Sequence, residues 1–398
     1  MNLNALPFPP QHVRPSRRLL GWGGGTFNQL GLGSIPELHK TASKPRRNML
    51  IEQMITWRWF RTAGGMHNLC IDEAGTIWSF GINDEATLGR QTVGVPDPSN
   101  PEEFLNSDDL EAQPLPVQSL VDEGFRTVRV AAGDSISAAI GSTGDLRIWG
   151  SFRDSQGSIG FSAESQRQLV PIPITKLPHC ASFTEKIASI KAGRDHLLML
   201  TTHGKIYAFG NGEAGQLGRK IVRRRKMNGT ILERVVLGTR TRRAVTIGTG
   251  DNNSFAVDDQ DAIVHLSQKV IGLSRTELGG SQIVEISGGA HHTLFLASDG
   301  RVFACGSSVD NQLGLAPTDA GLQDRQFEAF LPHPTAISFP DNVPQEDPIH
   351  TEGGLGLGDK DQASSPTVVV RRDGSWRADE IACGGQHCLA LLRRRNEM

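Results

Sequence analysis

The stretch AGRDHLLMLTTHGKIYAFGNGEAGQLGR (Ala192 to Arg219) is one copy of a pattern that returns along the chain. A glycine turn enters an apolar run (Leu197 to Thr201), a His-Gly turn reverses it, a second run follows (Lys205 to Phe209), and a Gly-rich corner ends in Gln-Leu-Gly. Two short strands joined by a two-residue turn containing Gly predict a β-hairpin. A hairpin that recurs at intervals of tens of residues predicts stacked units that bury their faces against one another. Further copies are AGGMHNLCIDEAGTIWSFGINDEATLGR (Ala63 to Arg90), AGDSISAAIGSTGDLRIWG (Ala132 to Gly150) and SGGAHHTLFLASDGRVFACGSSVDNQLGL (Ser287 to Leu315). LLGWGGGTFNQLGLG (Leu19 to Gly33) holds only the second half of the unit, and ACGGQHCLALL (Ala382 to Leu392) only the first.

Complementary halves at the two ends complete one unit, which closes a ring and leaves no open sheet edge. The expected fold is therefore all-β: a seven-bladed β-propeller closed by N- and C-terminal strands. The positions answering to the His of Gly-Gly-x-His are read as His67, Ile136, His196, Asn253, His291 and His387, separated by 69, 60, 57, 38 and 96 residues. The longest interval holds two units. Two copies are incomplete: NNSFAVDDQDAIVHL (Asn252 to Leu266) lacks the corner that should follow it, and TEGGLGLGDKDQASSP (Thr351 to Pro366) lacks the hairpin that should precede it. The fifth and seventh blades are thus expected to be truncated. The domain reading is a propeller over residues 18–393, with a short N-terminal extension (1–17) and a C-terminal tail (394–398).

Composition narrows the function classes. The formal charge of −2 argues against wholesale coating of nucleic acid, although Arg223, Arg224, Arg225 and Lys226 form one basic run and Arg240, Arg242 and Arg243 another. The acidic stretch from Pro96 to Gln113 reads as a mobile surface insertion. Five cysteines without a Cys-x-x-Cys pair predict neither a disulfide framework nor a zinc site. No apolar run approaches the roughly 18 residues of a membrane helix, which fits a nuclear or cytoplasmic chain. GNGEAG (Gly210 to Gly215) matches G-x-G-x-x-G after a strand but leads into Gln-Leu-Gly rather than a helix, so dinucleotide binding is rejected. No cofactor or metal is expected.

One corner breaks the repeat. Gly23 to Gly31, Gly81 to Gly89, Gly210 to Gly218 and Gly306 to Gly314 each span eight positions, whereas Gly150 to Gly160 spans ten. Extra residues in a hairpin connection are expected to bulge out of the ladder.

From about Arg18 to Arg393 the chain resembles the regulator of chromosome condensation family, guanine-nucleotide exchange factors for the small GTPase Ran. The resemblance is most specific in GGMHNLCIDEAGTIWSFGINDEATLGR, WGSFRDSQGSIG and GRDHLLMLTTHGKIYAFGNGEAGQLGR. It implies that the long corner (Ser151, Phe152, Arg153, Asp154, Ser155, Gln156, Gly157) is a wedge that presses on the GTPase near its phosphate-binding loop and switch regions. The alternative for that corner is an idle surface loop. The resemblance also implies that Asp134, Asp195 and His291 contact the GTPase, whereas from the residues alone Asp195 and His196 read as turn-capping groups. Thr26 stands where the family carries an acidic residue in the first blade.

LGTRTRRAV (Leu237 to Val245) is similar to the loop whose arginines enter the acidic patch of histones, which makes Arg240, Arg242 and Arg243 candidates. Arg223, Arg224, Arg225 and Lys226 are candidates for DNA phosphates, or for a solvated loop. The implied protein is a nuclear, chromatin-associated monomer with a Ran-type GTPase, histones and nucleosomal DNA as partners. The alternative is a propeller scaffold that binds proteins without exchange activity.

Overall fold

The computed structural model describes residues 2–8, 17–33, 41–54, 57–178, 184–265, 268–315, 318–323, 329–339, 363, 366 and 376–394. These residues build a β-propeller with six four-stranded sheets. Blade one joins the two ends of the chain, in the order Ala42–Arg47, Arg17–Gly23, His387–Arg394, Trp376–Cys383, with Arg17 opposite Arg393 and Gly23 opposite His387. Blades two to six start with Trp57–Ala63, Thr127–Ala132, Ile187–Ala192, Ala244–Thr249 and Ile283–Gly288 and follow in chain order.

The strands read as unbroken apolar runs because each blade is covered on both faces. In blade four, His196–Thr201 is buried at every position. Leu197 and Met199 pack towards Ile136, Ile148 and Phe152 of blade three, while Leu198 and Leu200 pack towards Ala244, Ile247 and Ala256 of blade five.

At the inner rim blades one to five each donate a backbone hydrogen bond to the next. Gly385 N bonds Gly65 O (3.3 Å), Gly65 N bonds Gly133 O (3.2 Å), Asp134 N bonds Arg194 O (2.7 Å), Arg194 N bonds Asp251 O (3.0 Å) and Asp251 N bonds Gly289 O (3.1 Å). The glycines allow this close approach. A Cβ on Gly193 would lie 2.6 Å from Gly250 O and 2.0 Å from Cε1 of His196, which is why Gly precedes His by three positions. The histidines then pin blade to blade: His387 Nε2 donates to Asn68 Oδ1 (2.9 Å), His67 Nε2 meets Ser137 Oγ (2.8 Å) and His196 Nε2 meets Ser254 Oγ (2.8 Å). Burial lowers these imidazoles to about 3 for His67 and about 4 for His196 and His387, with the nearby His387 adding to the shift at His67.

Six of the expected blades are formed by the described residues; the hairpin-less unit around Thr351 to Pro366 falls almost wholly outside them. Three expectations are corrected. Blade five lacks its corner but keeps four strands, because Ile263–His265 pairs antiparallel with Gln268–Lys269. His292, rather than His291, holds the repeat's histidine position, since Gly289 N bonds His292 O (3.0 Å) as Gly193 N bonds His196 O (2.9 Å). The acidic insertion is structured: it forms a hairpin (Pro96–Asp97, Asn100–Phe104) and a helix (Ser107–Ala112) whose N-terminus is capped by Asn106 Oδ1 accepting from Asp108 N at 2.8 Å.

The N-terminal residues 2–8 lie against the propeller. Leu3 N and Asn4 N donate to Thr202 O at 2.8 and 3.0 Å, and Asn4 Nδ2 reaches Thr201 O (3.0 Å) and Ala244 O (3.1 Å). These contacts lie at the hairpin-turn ends of blades four and five, the rim opposite the glycine contacts.

Candidate functional site

The long corner of blade three is a hairpin in its own right. Leu146–Gly150 ends at Gly150, and Ser151 N donates to Ser135 O (2.7 Å), as Asn211 N does to Asp195 O (2.7 Å) in blade four. The chain then departs from the repeat. Arg153–Asp154 pairs antiparallel with Gly157–Ser158, so Ser155 and Gln156 form a two-residue tip. Asp154 Oδ1 accepts from Gln156 N (2.9 Å), fixing the turn. Gly157 sits at φ 118°, a conformation that disfavours any side chain. The two surplus residues therefore add a small ladder instead of the expected bulge.

Aromatic packing roots this hairpin. Phe152 is fully buried, stacked on Phe161 (6.3 Å between ring centroids) and edge-on to Phe209 of blade four (5.2 Å). Ile159 N returns to Phe152 O at 2.8 Å. Of the seven wedge candidates, Ser151 and Phe152 are buried, while Arg153, Ser155 and Gln156 are exposed. The first two hold the hairpin and the last three are available to a partner.

Asp195 supports the root of this hairpin. It is buried, accepts from Ser135 Oγ, and accepts from the wedge's Arg153 N at 3.2 Å. Burial pushes its carboxyl up to about 6, with the charge of Asp134 acting in the same direction and the Ser135 bond opposing. A carboxyl whose folded pKa exceeds its unfolded value binds more protons when folded, so its contribution to stability falls as pH rises from about 4 to about 6. The buried histidines act in the opposite sense over the same range. The difference in unfolding free energy between wild type and Asp195→Asn isolates the carboxyl: it should drift against wild type by about 2–3 kcal/mol between pH 4 and 7. A flat difference in parallel denaturant titrations would refute the assignment.

Asp134 is exposed and pairs with Arg194 (3.0 Å). His291 is exposed at the position in blade six that Asp195 holds in blade four, since Ser307 N bonds His291 O at 2.8 Å. The wedge, Asp134, Asp195 and His291 thus share one rim, the rim of the glycine contacts.

The two basic runs lie on opposite rims. The 3-10 segment Arg223–Thr230 packs beside the wedge: a Cβ on Gly229 would meet Gly210 O at 2.2 Å, and Lys226 Nζ reaches Asp154 Oδ2 at 2.9 Å. The loop carrying Arg240, Arg242 and Arg243 is at the other rim, where Ala244 N bonds Gly204 O (2.8 Å), beside the docked residues 2–8. Arg242 is committed to the fully buried carboxylate of Asp258, and Arg243 turns back to Arg240 O (3.4 Å), which leaves Arg240 as the exposed arginine of that loop. Sequence reading had grouped both runs as chromatin contacts and missed Glu213, whose carboxylate accepts from Ser155 N (3.0 Å) and Ser155 Oγ (3.1 Å) at the wedge tip.

Comparisons agree with this geometry. Protein pim1 of Schizosaccharomyces pombe is 28% identical over 388 residues, covering 93% of this chain, which spans 63% of pim1. Guanine nucleotide exchange factor SRM1 of Saccharomyces cerevisiae is 31% identical over 362 residues, covering 81% of this chain and 72% of SRM1. The crystal structure of Prp20p from Saccharomyces cerevisiae, described with its binding properties to Gsp1p and histones, superposes with a TM-score of 0.80 at 25% identity, covering 96% of this chain and 92% of Prp20p. The family model described as RCC1-like domain matches residues 18–350, and with six blades among the described residues, terminal strands interlocked in one sheet and an added hairpin on one rim, this chain belongs to the RCC1-like domain family.

Proposed function

We propose that this protein is a guanine-nucleotide exchange factor for a Ran-type small GTPase, acting on chromatin in the nucleus. The observation that carries the reading is the braced hairpin Arg153–Ser158: the repeat makes a compact corner elsewhere, and here it makes a projecting one on a rim that also carries Asp134 and His291. SRM1's name and Prp20p's binding of Gsp1p and histones support it.

No covalent bond changes. A GTPase holds its nucleotide through backbone amides, a lysine and Mg²⁺ gathered round the phosphates. A partner that prefers the nucleotide-free form weakens nucleotide binding by the same coupling free energy with which nucleotide weakens the partner. Release is faster because the exposed tip displaces the loops that complete the phosphate site, while acidic Asp134 orients a basic GTPase surface. On the far rim Arg240 is suited to carboxylates of a histone surface through its planar fork. Arg224 and Arg225 lie on the wedge rim, so they face the GTPase side rather than sharing a DNA track with Arg240. The seven-blade count belongs to this reading too. A Cβ on Gly314 of blade six would lie 3.6 Å from Pro366, a contact that supports a further unit beside blade six.

The test is release of fluorescent GDP from loaded Ran with excess GTP and the full chain. The expected result is acceleration of at least about a hundredfold, a release barrier lowered by about 2.7 kcal/mol. Binding of Ran with no acceleration would replace this reading by the scaffold.

A further inference from the structure

The hairpin on which exchange depends is very small. Two residues pair with two, which is far below what holds an isolated hairpin together in water. Its root is fixed by Phe152, but its tip extends beyond the aromatic cluster, and Ser155 and Gln156 are exposed. What holds the tip comes from the neighbouring blade. Glu213 approaches from the Gly-rich corner of blade four with both carboxylate oxygens: Oε2 accepts from Ser155 N (3.0 Å) and Oε1 from Ser155 Oγ (3.1 Å). That corner is itself fixed, because Asn211 Oδ1 accepts from Glu213 N and Gln216 Oε1 accepts from Ala214 N, both at 2.9 Å.

From the other side Lys226 Nζ lies 2.9 Å from Asp154 Oδ2, and the Asp154 side chain is only 2% exposed. A buried carboxylate needs partners, and Lys226 supplies a charged one beside the Gln156 N–H that Asp154 Oδ1 accepts. The Gly157 side of the tip is open: a Cβ there would meet nothing within 4 Å.

We propose that Glu213 and Lys226 are positioning residues of the exchange reaction, a two-point brace through which blade four stiffens the wedge of blade three. The inference rests on the exchange reading. A tip that must displace a partner's loops has to be ordered before contact, because ordering it on contact subtracts from the coupling it can deliver. The brace also assigns a role to the one lysine of the Arg223–Lys226 run.

The test has two arms on the full chain. Amide hydrogen exchange of the protein alone reports on Ser155 and Gln156, and release of fluorescent GDP from Ran over a range of exchanger concentrations separates maximal rate from half-saturating concentration. In Glu213→Ala the Ser155 amide should lose about tenfold in protection, since a charge-assisted bond is removed. Its maximal release rate should fall by a similar factor while half-saturation stays within about twofold, because Asp134 and His291 are untouched. Lys226→Met should behave alike and Lys226→Arg should restore both readouts, because the ion pair is kept. Unchanged tip protection in Glu213→Ala and Lys226→Met overturns the brace. Faster tip exchange with an unchanged maximal rate overturns the positioning role. A wild-type chain that binds Ran without accelerating release overturns the exchange reading and the positioning role with it; tip protection, measured without Ran, tells that failure from failure of the brace.

Discussion

Deleting Ser155 and Gln156, which returns the long corner to the eight-position span of the other blades, should lower maximal nucleotide release by at least about a hundredfold. The fold should survive, because the deletion removes the exposed tip and leaves Phe152, Ile159 and Phe161 in the core they share with Phe209. The rim that holds Asp134 and His291 also remains, so the shortened chain should still capture the GTPase. Release and capture then separate: binding persists, and coupling between binding and nucleotide loss is gone. A shortened chain that releases nucleotide at the wild-type rate would remove the wedge from the mechanism.

The second large effect is Phe152→Ala. This side chain has no exposed surface and sits where two aromatic rings of two blades meet. Its loss should cost about 3–5 kcal/mol, the range for an aromatic truncated to alanine in a rigid core. Denaturant unfolding should show that loss as a lower midpoint with an unchanged slope. The root of the wedge loosens together with blades three and four, so exchange should fall as well. Phe152→Leu, which refills most of the volume, should recover most of the stability. If the alanine variant unfolds within about 1 kcal/mol of wild type, the packing account of the wedge root is wrong.

The hairpins were legible in the sequence because their turns fall at fixed offsets and their apolar runs have the length of short buried strands. The interlocked blade one was legible for a different reason: two half-repeats at opposite ends have no other way to bury their faces. The wedge was visible as a count of positions, ten against eight. Its form was not, because a bulge and an added ladder need the same number of residues and only Asp154's turn bond and Gly157's backbone decide between them. The tandem pair His291 and His292 left the register of blade six open by one residue, and the Gly289 to His292 bond resolves it.

Glu213 and Lys226 were invisible for a physical reason. Their partners lie 58 and 72 residues away, across a blade boundary, and a contact of that kind leaves no periodic trace. Asp195 reads from the sequence as a docking group, and its burial and its bond to Arg153 N leave no sequence trace. The ion pair of Arg242 with Asp258 is hidden in the same way.

The central claim is that the tip of the long corner acts at the GTPase's phosphate site, and a photo-crosslinker placed at the exposed Gln156 tests it most directly. With nucleotide-free Ran, crosslinked peptides should come from the phosphate-binding loop or the switch regions, while the same probe at Arg240, on the far rim, should yield none from Ran. Crosslinks from Arg240 and none from Gln156 would contradict the account.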